Sequence, residues 1–207
     1  MDFITEDDRK RVADAIAEAE ARTSGEIVAI IAPASARYLH VPVLWAALIA
    51  LALPFPFIYW TWWPIQHIYA LQIATFVVLA LALNYPPIRM ALVPTAVKRR
   101  RAHRRAVEQF LTQNLHTAAG HTGVLIFVSV AERFAEVLAD TRINDRVPET
   151  TWQTIVDDLT RGIGRGQPGE GFVRAIGAVG QHLAAHFPPE AREVKALPNH
   201  LIVLPAD

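Results

Sequence analysis

Four carboxylates stand where chemistry could use them: Asp140 and Asp145 in a polar stretch after an apolar segment, Glu132 just ahead of that segment, and Glu26 opening an earlier apolar run. Several carboxylate oxygens brought to one point are what a hard cation such as Ca²⁺ or Mg²⁺ requires, so these four are candidate metal ligands. The same residues also fit a plainer role, with Asp140 and Asp145 as solvated loop acids, Asp145 breaking the chain before Pro148, and Glu26 capping a strand end. Other groups fail on context. Arg161-Gly162-Ile163-Gly164-Arg165-Gly166 has the glycines of a phosphate loop, but such a loop follows a strand and opens a helix, whereas this one follows a helix. His182 and His186 share one helix face, yet no glutamate follows His182 as the zinc hydrolase motif demands. Ser129 and the nearby histidines form no nucleophile arrangement. No catalytic residue and no organic cofactor site are assigned.

The elements that must position these residues follow from hydrophobic period. Val12, Ile16 and Ala19 recur on one face of a first helix that starts near Thr5 and Asp8 and runs to about Arg22. Glu26 to Ala32 is a nearly continuous β-branched run, as in a strand buried on both faces. After the turn Gly120-His121-Thr122-Gly123, Val124 to Val130 is the strongest strand signal, and a tight connection through Glu132 leads to a second strand, Phe134 to Ala139, which pairs antiparallel with it. Pro148 opens a helix whose inward face is Trp152, Ile155, Val156, Leu159 and Ile163. A last helix, Glu170 to Phe187, stops at Pro188-Pro189, and His200 to Leu204 reads as a terminal edge strand. The expected fold class is α/β, a small mixed sheet covered by helices.

Into this fold is set a segment of different character. Between Arg37 and Arg89 there is no Asp, Glu, Lys or Arg. A bilayer core about 30 Å thick needs roughly 20 apolar residues in a helix, and two such lengths occur, about 41–60 and 65–83, divided by Trp62-Trp63-Pro64. The expected organisation is a discontinuous soluble domain, 1–37 and 95–207, interrupted by a transmembrane hairpin with an interfacial segment, 38–94. Pro54 and Pro56 are expected to kink or break the first span. Few polar groups lie in the spans, chiefly Gln72 and Thr75, which disfavours a channel or transporter.

Overall charge balances, with 20 basic and 20 acidic residues, but it is unevenly spread. Lys98, Arg99, Arg100, Arg101, Arg104 and Arg105 form a block just after the second apolar length, on a helix from about Thr95 to His116 whose inward face is Val107, Phe110, Leu111 and Leu115. Basic residues beside a span are retained on the cytoplasmic side, so both termini are expected there, in a multi-pass protein of the bacterial inner membrane. The block is a candidate surface for anionic headgroups, each cation near them worth about 1 kcal/mol, and topology accounts for it before nucleic acid does. No cysteine is present, which removes disulfides and thiol chemistry and fits a reducing compartment. The first forty residues are charged and amphipathic, unlike a signal peptide.

A strand after Ser24-Gly25-Glu26, then a helix, then Thr122-Gly123-Val124-Leu125-Ile126-Phe127-Val128, then a second strand ending in an acid-bearing loop, resembles the TPM domain. Trp152 and His186-Phe187-Pro188 are in keeping, and the resemblance spans residues 1–37 and 95–187. It implies a mixed α/β module, similar to bacterial membrane proteins of that group. One plant member is described as a thylakoid acid phosphatase, others serve photosystem repair or modulate receptors, and some bind divalent metal through loop acids, which Asp140 and Asp145 match by position. The chain departs from the family pattern in lacking an Asn or Asp beside Gly123 and a glycine-rich turn after Asp140, and in carrying the hairpin inside the domain. Two functions follow as expectations: a membrane-anchored accessory module assisting another membrane protein or complex, or a divalent-metal-dependent phosphatase at the membrane face. The sequence leaves the oligomeric state open.

Overall fold

The computed structural model describes residues 3–36, 38–117, 122–189 and 200–205. Arg37 and the Gly120-His121 turn lie outside the described residues. In chain order the elements are α1 (Glu6–Glu20), β1 (Glu26–Ala32), α2 (His40–Ala52), α3 (Pro54–Trp60), α4 (Ile65–Leu83), α5 (Pro86–Leu92), α6 (Thr95–Thr112), β2 (Gly123–Ser129), β3 (Phe134–Ala139), α7 (Thr141–Asn144), α8 (Glu149–Gly164), α9 (Pro168–His186) and β4 (Leu201–Val203). Contacts divide the chain into two units, one of Met1–Ser35 with Arg99–Asp207 and one of Ala36–Lys98.

The first unit is built on a mixed sheet of order β3-β2-β1-β4. β1 runs parallel to β2, with Glu26 opposite Gly123 and Ala32 opposite Ser129, and parallel to β4. β3 returns antiparallel beside β2 and forms one edge. All seven residues of β1 and of β2 are buried, as a strand covered on both faces demands. Alternation sends Ile27, Ala29, Ile31, Val124, Ile126 and Val128 to one side, where α1, α8 and α9 cover them with Ile16, Leu159, Phe172 and Ile176. The other side holds Val28, Ile30, Leu125 and Phe127 under Ala106 of α6 and Leu115 beyond it.

Local chemistry sets the helix ends. Thr5 caps α1 by accepting the Asp8 N–H at 3.1 Å, and Asp8 accepts the Thr5 N–H at 3.2 Å, two orphan donors satisfied reciprocally. The glycine-rich stretch is a helix stop: α8 runs on to Gly164, and Gly166, at φ 76°, takes the left-handed turn that closes it. Only Arg165 to Gln167 separate α8 from α9, which begins on Pro168 rather than at Glu170. The stretch 140–148, read as polar loop, contains the short α7, whose Ile143 is buried. α9 approaches α1 so closely that a Cβ on Gly180 would lie 2.7 Å from that of Ala19.

α6 corrects the sequence reading of its inward face. Ala102, Ala106 and Gln109 are buried and Phe110 partly so, while Val107 and Leu111 are 37% and 50% exposed. Ala106 and Phe110 pack against that side of the sheet, and Val107 and Leu111 turn outward.

In the second unit most large apolar side chains are exposed. His40–Trp60 and Ile65–Leu83, 21 and 19 residues, are long and apolar enough to cross a membrane, with 17% and 6% of their apolar windows buried. α2 packs against α4 and α5, and α3 against α4. Ala46 and Ala50 are buried while Leu51, Ile73 and Leu81 are 71%, 63% and 73% exposed. Pro54 opens α3 as a helix separate from α2, and Leu53 between the two keeps right-handed helical angles. Pro86 and Pro87 open α5 rather than only stopping α4, proline being suited to a first helical turn.

Candidate functional site

The topology decides which acids can meet. Glu26 begins β1, Gly123 begins β2 opposite it, and Asp140 follows β3, its N–H donating to the Gly123 carbonyl at 3.0 Å. Glu26 and Asp140, both largely buried, therefore belong to one end of the sheet. Glu132 lies in the β2–β3 turn at the other end, a strand length of about 20 Å away. Asp145 caps the C-terminus of α7 with its backbone N–H and is exposed. Among the described residues no group of three or more His, Cys, Asp or Glu is gathered as a metal ion would need.

The side chains already have other work. Asp140 Oδ1 accepts from the Thr141 N–H at 2.6 Å and from its hydroxyl at 2.8 Å, capping α7. Glu132 accepts the buried Ser129 hydroxyl at 2.5 Å and the Ser35 N–H at 3.1 Å, and the Ser35 hydroxyl donates to Ser129 Oγ at 2.6 Å. This Ser35-Ser129-Glu132 chain ties the loop after β1 to the turn after β2. The four acids thus do not fit a single Ca²⁺ or Mg²⁺ site, because parallel β1 and β2 put their first residues at the end opposite the β2–β3 turn. His182 and His186 lie on α9 without a third ligand among the described residues.

The basic block lies on α6. Arg99, Arg100 and Arg104 are exposed, and Lys98, Arg101 and Arg105 are half-buried. Arg104 and Arg105 reach Glu108 at 3.4 and 3.6 Å. His103 Nδ1 lies 2.9 Å from both carboxylate oxygens of Glu136, joining α6 to β3.

A cleft of about 690 Å³ runs along β3. The edge strand forms its floor, Trp152, Gln153, Val156, Asp157 and Thr160 of α8 form one wall, and Arg99 and Arg133 contribute to its lining. Trp152 is 6% exposed, and its indole Nε1 has no hydrogen-bond partner among the described residues. Arg133 stands at φ 51°, left-handed backbone that glycine takes more readily. Sequence reasoning missed this cleft because it had no strand order from which β3 emerges as an edge; its inward placing of Trp152 holds, since Trp152 belongs to the buried core.

The fold is a mixed four-stranded α/β sheet with helices on both faces. Residues 84–182, from the end of α4 through most of α9, match the model of the TPM domain, the family its sequence resembles. The structure is similar to that of the BA42 protein from the psychrophilic bacterium Bizionia argentinensis, solved by NMR, with a TM-score of 0.61 at 21% identity over 98% of this chain and 96% of that one. That likeness is one of fold. No curated protein matches the chain.

Proposed function

We propose that the chain is a membrane-anchored interaction module, its α/β domain tethered by a two-helix hairpin and serving another membrane protein or complex. The observation that carries this reading is the exposure within Ala36–Lys98 of large apolar side chains such as Leu51, Ile73 and Leu81, while Ala46, Ala50 and Ile68 are buried. In water that arrangement exposes apolar area at about 25 cal/mol per Å²; in lipid it is how helices pack, with small residues at the interface. The exposed cations of α6 follow the second span in the chain after the short α5 and suit anionic headgroups. The hydrolase alternative rests on Asp140 and Asp145, of which Asp140 caps α7 through Thr141 and Asp145 is exposed at the end of that helix.

Membrane fractions washed with alkaline carbonate test the anchor. The wild-type chain is expected in the pellet, and Val77→Arg, which places a charge in the middle of α4 at a cost of about 3 kcal/mol, is expected to shift protein to the supernatant. A wild-type chain extracted by carbonate alone would remove the reading. Pull-down in mild detergent tests the accessory role, which a lack of any stable membrane-protein partner above background would count against.

A further inference from the structure

We infer that two copies of this chain pair edge to edge through β3, strand against antiparallel strand across a two-fold axis, so that their four-stranded sheets join into one. The inference goes beyond the anchor, since it concerns the α/β unit alone.

The backbone of β3 supplies the first argument. It is an edge of the sheet, with β2 on one side and no strand on the other among the described residues. Antiparallel pairs alternate between residues that exchange main-chain hydrogen bonds and residues that do not. The Asp140 N–H donates to the Gly123 carbonyl at 3.0 Å, and the register runs unbroken from Ala139 opposite Val124 to Phe134 opposite Ser129. Counting back from Asp140, the main-chain groups of Leu138, Glu136 and Phe134 face β2, and those of Ala139, Val137 and Ala135 face away. Of these outward groups, the Ala139 carbonyl accepts from Asn144 Nδ2 at 2.8 Å and keeps a second lone pair. Proteins usually blunt such an edge with lysine, proline or a bulge. Phe-Ala-Glu-Val-Leu-Ala carries none of them.

Charge chooses the occupant. The cleft beside this edge is lined by Arg99, Arg133, Glu136, Glu149 and Asp157, a mixture that a partner of one sign does not match and a second copy does. Glu136 is held by His103, and Asp157 accepts from Gln153 Nε2 at 3.0 Å. Arg133 and Glu149 are exposed and form no ion pair among the described residues. They mark opposite ends of the cleft, because Arg133 immediately precedes β3 while Glu149 opens α8, to which the short α7 leads from the last residue of β3. A two-fold axis through the middle of β3 therefore carries each arginine to the end where the other copy's glutamate stands.

The register follows from the same counting. With Val137 opposite its own counterpart, Ala135 faces Ala139, and all three outward residues exchange hydrogen bonds with the other copy. Arg133 then comes opposite Thr141, at the Glu149 end, and the two Glu136 side chains lie diagonal, each beside its own His103. A slip that set Glu136 against Glu136 would place like charges directly opposite, which is destabilising.

The test uses the full chain in detergent, with mass read by light scattering over a dilution series and amide exchange read residue by residue. The expected result is a dimer that dissociates on dilution, with the amides of Ala135, Val137 and Ala139 slowing as it forms and those of Glu136 and Leu138 protected throughout. Ala135→Pro removes one outward N–H and leaves the β2 ladder whole. It is expected to weaken association about tenfold with unchanged circular dichroism. Arg133→Glu and Glu149→Arg are each expected to weaken it about fivefold, and the two together in one chain to restore it, the ion pairs re-forming with signs exchanged. A chain that stays monomeric, a dimer whose formation leaves the three outward amides exchanging as before, a double variant no better than the single ones, or slowing of those amides that requires anionic vesicles in place of a second copy would overturn the inference.

Discussion

Asp8 shows how one side chain can couple a helix start to pH. The Thr5 hydroxyl that donates to it, then the Thr5 backbone N–H and the Arg11 guanidinium, hold its carboxyl below the usual 3.8. A carboxyl depressed in the folded state contributes stability that is present above the unfolded value and is lost as pH falls through the lower folded one. The stability difference between wild type and Asp8→Asn, measured by denaturant unfolding, is therefore expected to be constant above about pH 5 and to shrink below pH 4. Thr5→Ala removes the cap itself and is expected to cost about 1 kcal/mol. Trp152 invites a contrast of another kind. Its N–H has no partner among the described residues, so Trp152→Phe is expected to cost well under the 3–5 kcal/mol typical of Trp152→Ala, a difference that thermal unfolding reads directly.

Among the elements, α1 and α9 are held at a distance fixed by Gly180 and Ala19. Gly180→Val overpacks this contact and is expected to destabilise by about 1–3 kcal/mol. Ala19→Gly in the same chain should recover part of that loss, the coupling expected of residues in contact. The strands were legible in the sequence because Glu26–Ala32 and Val124–Val130 are apolar without interruption, a pattern only two-sided burial explains. The face of α6 was not, because the residues that bury are alanines, whose apolar signal is weak, and the outward Val107 and Leu111 carry the stronger one. The separation of the acids was hidden for a different reason. Spacing along the chain brings Glu132 and Asp140 within eight positions, and the six residues of β3 between them put the two at opposite ends of a sheet. An edge strand likewise exists only once the order β3-β2-β1-β4 is known.

At the scale of the whole molecule, β1 and β2 are direct neighbours in the sheet although Glu26 and Gly123, which face each other, are 97 positions apart (123 − 26). Everything from Ala36 to Lys98 is emitted between them. A ribosome making this chain releases Glu26–Ala32 long before the strand that shields it exists. For that interval seven residues rich in isoleucine and valine have unmet backbone groups and a strong tendency to self-associate. Nascent chains arrested before Gly123 are thus expected to be cut by protease near β1 and to recruit holding chaperones, and chains arrested beyond Ala139 to resist both. The hairpin's position makes biogenesis a matter of timing, in which the middle of the protein must find its place before the two ends can recognise one another.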